Sequence, residues 1–134
     1  MTDLVITAAN VVAGSNATRD TGAAGETITA GKAVFLNTAT NRWMLSDNNG
    51  TGTRTVKGIA LNGASANQPV AVLKDGDITI GATLTAGTDY WLSATAGGIC
   101  PRADLDVGMD TIQIGVAKST TVLAVNIQDP GVTL

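Results

Sequence analysis

The sequence predicts an all-β protein: a small barrel or sandwich of short antiparallel strands, built from two pseudo-repeated halves and preceded by an extended N-terminal arm. Three observations predict it. From Gly25 onward, apolar and β-branched runs alternate with turn residues at spacings of roughly 8 to 12 residues. Sixteen glycines punctuate the chain too often for an amphipathic helix to run between them. A block of sequence also recurs, Thr29-Ala30-Gly31 returning as Thr85-Ala86-Gly87.

Residues 1–24 differ from the rest. "DLVIT" has the composition of a short strand, but "AANVVAGSNATRDTGAAG" is small, polar and without period. Such a segment cannot bury much by itself, so it is expected to be a tail or an arm ordered against a partner. Its apolar side chains, Leu4, Val5, Ile6, Val11 and Val12, are the candidate contact residues. Residues 25–134 form the β-domain, with halves at about 25–81 and 82–134. Strands are expected at 33–37, 42–46, 55–61, 69–74, 77–81, 89–93, 98–101, 111–117 and 121–127. "NTATN" reads as a hairpin loop, Asp75-Gly76 as a tight turn between two strands, and Gly97-Gly98 as another.

The halves share more than one triplet. "ITAGKAVFLNTATNRW" aligns with "LTAGTDYWLSATAGGI", and Gly58-Ile59-Ala60 aligns with Gly115-Val116-Ala117. Each half then reads as a Thr-Ala-Gly turn, a hairpin, a strand carrying Gly-(Ile/Val)-Ala, and a final strand. Gly31, Gly87, Gly58 and Gly115 are accordingly the structural turn positions; at Gly31 and Gly87 positive φ or close backbone approach calls for glycine. Phe35 and Trp91 occupy matching places, which favours core packing for both. Trp43 is expected in the core or at an interface.

Composition excludes several classes of function. Only 14% of residues are charged, against about a quarter in ordinary soluble domains. A chain so poor in charge and so rich in small residues suits broad contact with neighbours. The net charge is −3 and the eight Lys and Arg are scattered, which argues against direct nucleic-acid binding. The start of the chain lacks a basic segment of the secretory type. No apolar run approaches the ~20 residues of a spanning helix, so no membrane partner is expected.

Chemistry is equally sparse, and the expectation is that this is not an enzyme. Gly31-Lys32 suggests a P-loop, but the spacing from Gly25 is wrong, Glu26 would repel phosphate, and Ala33 stands where a hydroxyl is needed. The following run reads as a strand, not a helix. There is no His, which removes the commonest general base and metal ligand. Cys100 stands alone and reads as a small buried residue. Asp75/Asp77 and Asp104/Asp106 lack the pattern of a calcium loop and read as turn chemistry. No cofactor and no metal are expected.

The words "GETITAGKAVFLNTATNRWMLSD", "TVKGIALNGASANQPVAVLKDGDITIGATLTAGTDYWLSATAGGICP" and "IGVAKSTTVLAVNIQ", in that order, resemble a family of tailed-phage capsid decoration (cement) proteins, also described as capsid fibre or head decoration proteins. The resemblance covers about residues 25–134. It implies a non-enzymatic virion protein on the outer surface of the phage head, present in the host cytoplasm during assembly. Its partner would be the major capsid protein, whose neighbouring subunits it would cement as a homotrimer or a dimer. Residues 4–6 and 11–12 would then be the capsid-contact arm. The alternative is a head-fibre base or an adhesin-type module with carbohydrate-binding loops, in which a Trp or Tyr would be exposed beside polar side chains on a loop.

Overall fold

The computed structural model describes residues 3–49, 53–129 and 131–133. Among these the chain is mostly β. Ten strands occur: β1 (Val12–Ala13), β2 (Thr18–Ala24), β3 (Ala33–Asn37), β4 (Arg42–Leu45), β5 (Gly58–Ala60), β6 (Pro69–Thr79), β7 (Asp89–Leu92), β8 (Ile99–Pro101), β9 (Gln113–Ala117) and β10 (Val122–Gln128). The helical content is two short 3-10 turns, Ala8–Asn10 and Arg102–Asp104.

The strands pair in the order β2-β4-β3-β5-β6-β10-β9-β7-β8, with β1 added on β6. All pairings are antiparallel except β2 with β4, so the sheet is mixed. β2 also pairs with β6, from Thr18↔Asp75 to Ala23↔Pro69. The pairings β2-β4-β3-β5-β6 therefore return to their starting strand. Ala24, Ile28, Val34, Trp43, Ala60, Ala64, Val70 and Val72 pack together as one core cluster of this cycle.

A second and larger core takes the other face of the same strands. Ala33 of β3, Ile59 of β5 and Leu73 of β6 turn toward Tyr90, Leu92, Ile99, Ile114, Leu123 and Val125 of β7 to β10. Strand residues alternate between faces, so strands buried on both sides read as the near-continuous apolar runs "AVFL" and "PVAVL". Burial of these side chains supplies the main folding drive, about 1.5–3 kcal/mol for each fully covered Val, Leu or Ile.

Two expectations need correction. Asp75-Gly76 is not a hairpin turn: 69–74 and 77–81 run as the single strand β6 up to Thr79. Gly76 has φ +104, and the register against β2 slips between Arg19↔Leu73 and Thr18↔Asp75. A bulge of this kind bends a strand without ending it, and it takes β6 from pairing with β2 and β5 to pairing with β1 and β10. Residues 18–24, read as part of an irregular arm, form β2. Its side chains are mostly exposed, and the pairing with β6 is made by backbone groups.

Candidate functional site

Gly31 and Gly87 both lie in left-handed turns, at φ +92 and +83. Gly31 N–H donates to Ala60 O at 2.8 Å, and Gly87 N–H donates to Ala117 O at 2.8 Å. Lys32 N–H reaches Thr29 O at 3.4 Å, and Thr88 N–H reaches Thr85 O at 3.1 Å. In return Ala60 N–H donates to Lys32 O (2.8 Å) and Ala117 N–H to Thr88 O (2.9 Å). The Gly31-Lys32 backbone is thus occupied in joining a turn to a strand. Glu26, which spoiled the P-loop reading, accepts from Leu45 N–H at 3.0 Å.

Gly58 and Gly115 are not turn residues. They lie inside β5 and β9. A Cβ on Gly58 would meet Leu73 O at 2.4 Å, and one on Gly115 would meet Ala124 O at 2.1 Å. Close approach of the neighbouring strand is what requires glycine at both.

The N-terminal segment lies along its own chain. Leu4 N–H donates to Ile99 O (2.8 Å), Thr7 N–H to Gly81 O (2.8 Å) and Gly14 N–H to Asp77 O (2.7 Å). Asp3 accepts a 2.6 Å hydrogen bond from Ser93 Oγ. Leu4, Ile6 and Val11 turn inward onto the larger core, while Val5 and Val12 point out, 87% and 59% exposed. The five candidate contact residues therefore divide into three anchors and two outward side chains. Shallow depressions flank the outward Val5, one bounded by Thr7, Asn10 and Thr121, the other by Ala82, Tyr90 and Pro101.

Reactive groups are not gathered anywhere among the described residues. Cys100 is fully buried. Desolvation, with the nearby charges of Asp3 and Asp104 adding to it, pushes its thiol from 9.0 up to about 12. It is therefore not a thiolate near neutral pH. Asp77 pairs with Lys118 at 2.7 Å. No cluster of three or more potential metal ligands occurs among the described residues. Arg54 bridges Asp110 (2.8 Å) and Asp129 (2.6 Å), tying the region around Arg54 to the C-terminal residues.

The aromatic residues hold the feature that sequence reasoning missed. Trp43 is a core residue, 2% exposed. Trp91 faces outward from β7 and is partly exposed, as the alternation of Tyr90 and Leu92 into the core requires. Its matching residue Phe35 is nearly covered, yet it too lines a shallow surface depression, with Met44, Thr55 and Lys57. Trp91 thus departs from the core packing expected of it, whereas Phe35, 9% exposed, is buried as expected. Trp91, Gln113, Gln128 and Asp129 line a small depression of their own.

No family model matches this chain, and no curated protein matches it.

Proposed function

We propose that this chain is a structural virion protein that binds the outer surface of a phage head and cements neighbouring major capsid subunits. The observation that carries the reading is the N-terminal segment. It is anchored by Leu4, Ile6 and Val11 and presents Val5 and Val12 to solvent. The exposed valines, with shallow depressions flanking Val5, form a surface suited to an apolar partner face. The resemblance of residues 25–134 to the decoration family supplies the identity of that partner. Binding only to the assembled lattice would stabilise it by mass action, and a trimeric or dimeric form would add avidity across capsomers.

The proposal extends to the architecture. The two halves are read as copies of one unit that together build one small barrel or sandwich. Support comes from the paired turn bonds at Gly31 and Gly87. The strand orders β4-β3-β5-β6 and β8-β7-β9-β10 agree, and Val34↔Leu45 and Leu36↔Trp43 correspond to Tyr90↔Pro101 and Leu92↔Ile99.

The test is binding to purified heads before and after expansion. The protein should bind expanded heads and raise their melting temperature, and Val5→Asp with Val12→Asp should weaken binding at least tenfold without lowering the protein's own stability. Unchanged head stability, or full binding by the double variant, would refute the reading. An adhesin-type reading takes its support from a different place, the partly exposed Trp91, which stands on strand β7.

A further inference from the structure

We propose that the Trp91 depression is a binding site for a single pyranose ring at the end or along the chain of a surface glycan. Trp91, Gln113 and Gln128 are register partners on three adjacent strands: β7 Trp91 faces β9 Gln113, which faces β10 Gln128. The row therefore runs straight across the outer face of the sheet. Asp129, the next residue after Gln128, completes the rim of a depression of about 220 Å³. That is the scale of one small ring, not of a peptide strand.

The lining has the chemistry a sugar needs. A pyranose offers a face of C–H groups and a rim of hydroxyls, so it is held by an aromatic plane with amide and carboxylate groups at its edge. Trp91 supplies the plane, and it is fixed in place. Its indole N–H donates to Asp89 Oδ2 at 2.8 Å. The Arg102 guanidinium sits over the ring, 5.8 Å from its centroid. The depression is bounded on the β9 and β10 strands by Gln113 and Gln128. A ring braced at its edge by Asp89 and contacted by a cation has little freedom left to lose on binding.

The amides are free to act. Among the described residues, the side chains of Gln113 and Gln128 make no hydrogen bond. Each carries two donors and an acceptor, which matches vicinal hydroxyls. Both strand pairings slip register at this place, between Tyr90 and Trp91 and between Val125 and Gln128. Such bulges re-aim side chains and occur beside binding sites. Here they bring Trp91 and the two glutamines to one depression. The lining is uncharged apart from Asp129, which is paired with Arg54 at 2.6 Å. A neutral hexose therefore fits better than an anionic sugar.

The experiment is a titration with the methyl pyranosides of glucose, galactose, mannose, rhamnose and N-acetylglucosamine, followed by two-dimensional amide NMR. The two indole N–H signals are assigned with Trp91→Phe. At least one glycoside should shift the Trp91 indole and the Gln113 and Gln128 side-chain amides saturably, with Kd of about millimolar order, while the Trp43 indole stays still. Trp91→Ala should abolish the shifts. Gln113→Ala and Gln128→Ala should each weaken binding about threefold to tenfold. An unmoved Trp43 signal in every variant reports that the fold is intact. No saturable shift with any of the five, or shifts that survive Trp91→Ala, would overturn the proposal. Head binding plays no part in this readout, so the result stands apart from the capsid reading.

Discussion

Replacing Gly31 and Gly87 by alanine should have unequal costs, and the difference measures how firmly the N-terminal segment is seated. Both residues have positive φ, which costs an L-residue about 1–2 kcal/mol. At Gly87 that is the whole effect, because an added Cβ meets nothing within 4 Å. At Gly31 the Cβ would lie 2.5 Å from Ile6 Cγ2, with Ile6 Cδ1 and Val11 Cγ2 both at 3.3 Å. Those contacts must open, adding an overpacking cost of about 1–3 kcal/mol. Gly31→Ala is thus expected to destabilise by about 3 kcal/mol and Gly87→Ala by about 1.5 kcal/mol. Urea unfolding at constant m-value measures both. A double-mutant cycle with Ile6→Ala isolates the clash: once the Ile6 branch is gone, Gly31→Ala should cost about 1–2 kcal/mol less than in the parent chain. Additivity within about 0.5 kcal/mol would refute the seating of Ile6 over the turn.

Three further outcomes are expected. The thiol of Cys100 should resist alkylation in the folded protein and react freely once unfolded. Because its pKa is raised, from 9.0 to about 12, the stability it contributes is intact below 9.0 and is lost as the pH rises through the folded value; Cys100→Ala should remove that part of the alkaline decline in melting temperature. Arg54→Ala breaks ion pairs to both Asp110 and Asp129 and should cost about 1 kcal/mol, less at high salt, as urea melts at two ionic strengths would register. Leu123→Ala empties a fully buried place in the larger core and should cost about 2–5 kcal/mol by the same assay.

What could be read from the sequence follows from what the side chains do. Strand β3 falls at the expected 33–37 because a glycine turn precedes a run buried on both faces. The hairpin of β7 and β8 was legible at Gly97, which has φ +74 between two apolar strands. β2 was not legible, since "TRDTGAA" shows solvent most of its side chains and is held by backbone pairing. Asp75-Gly76 misled because a tight turn and a bulge make the same demand for positive φ. The Trp91 row was invisible for another reason. Gln113 and Gln128 meet it only through the register of three strands and two slips in that register, and neither leaves a trace in composition or period.

The unbroken course of β6 has a mechanical consequence. One eleven-residue strand is gripped by β2 and β5 along its first part and by β1 and β10 along its last. Neither half can open without stripping partners from a strand the other half also needs. The slowest-exchanging amides of the two halves should therefore share one opening free energy, that of global unfolding. A pull applied to either half would be resisted by a common beam, leaving no weak seam between the halves at which the molecule would part.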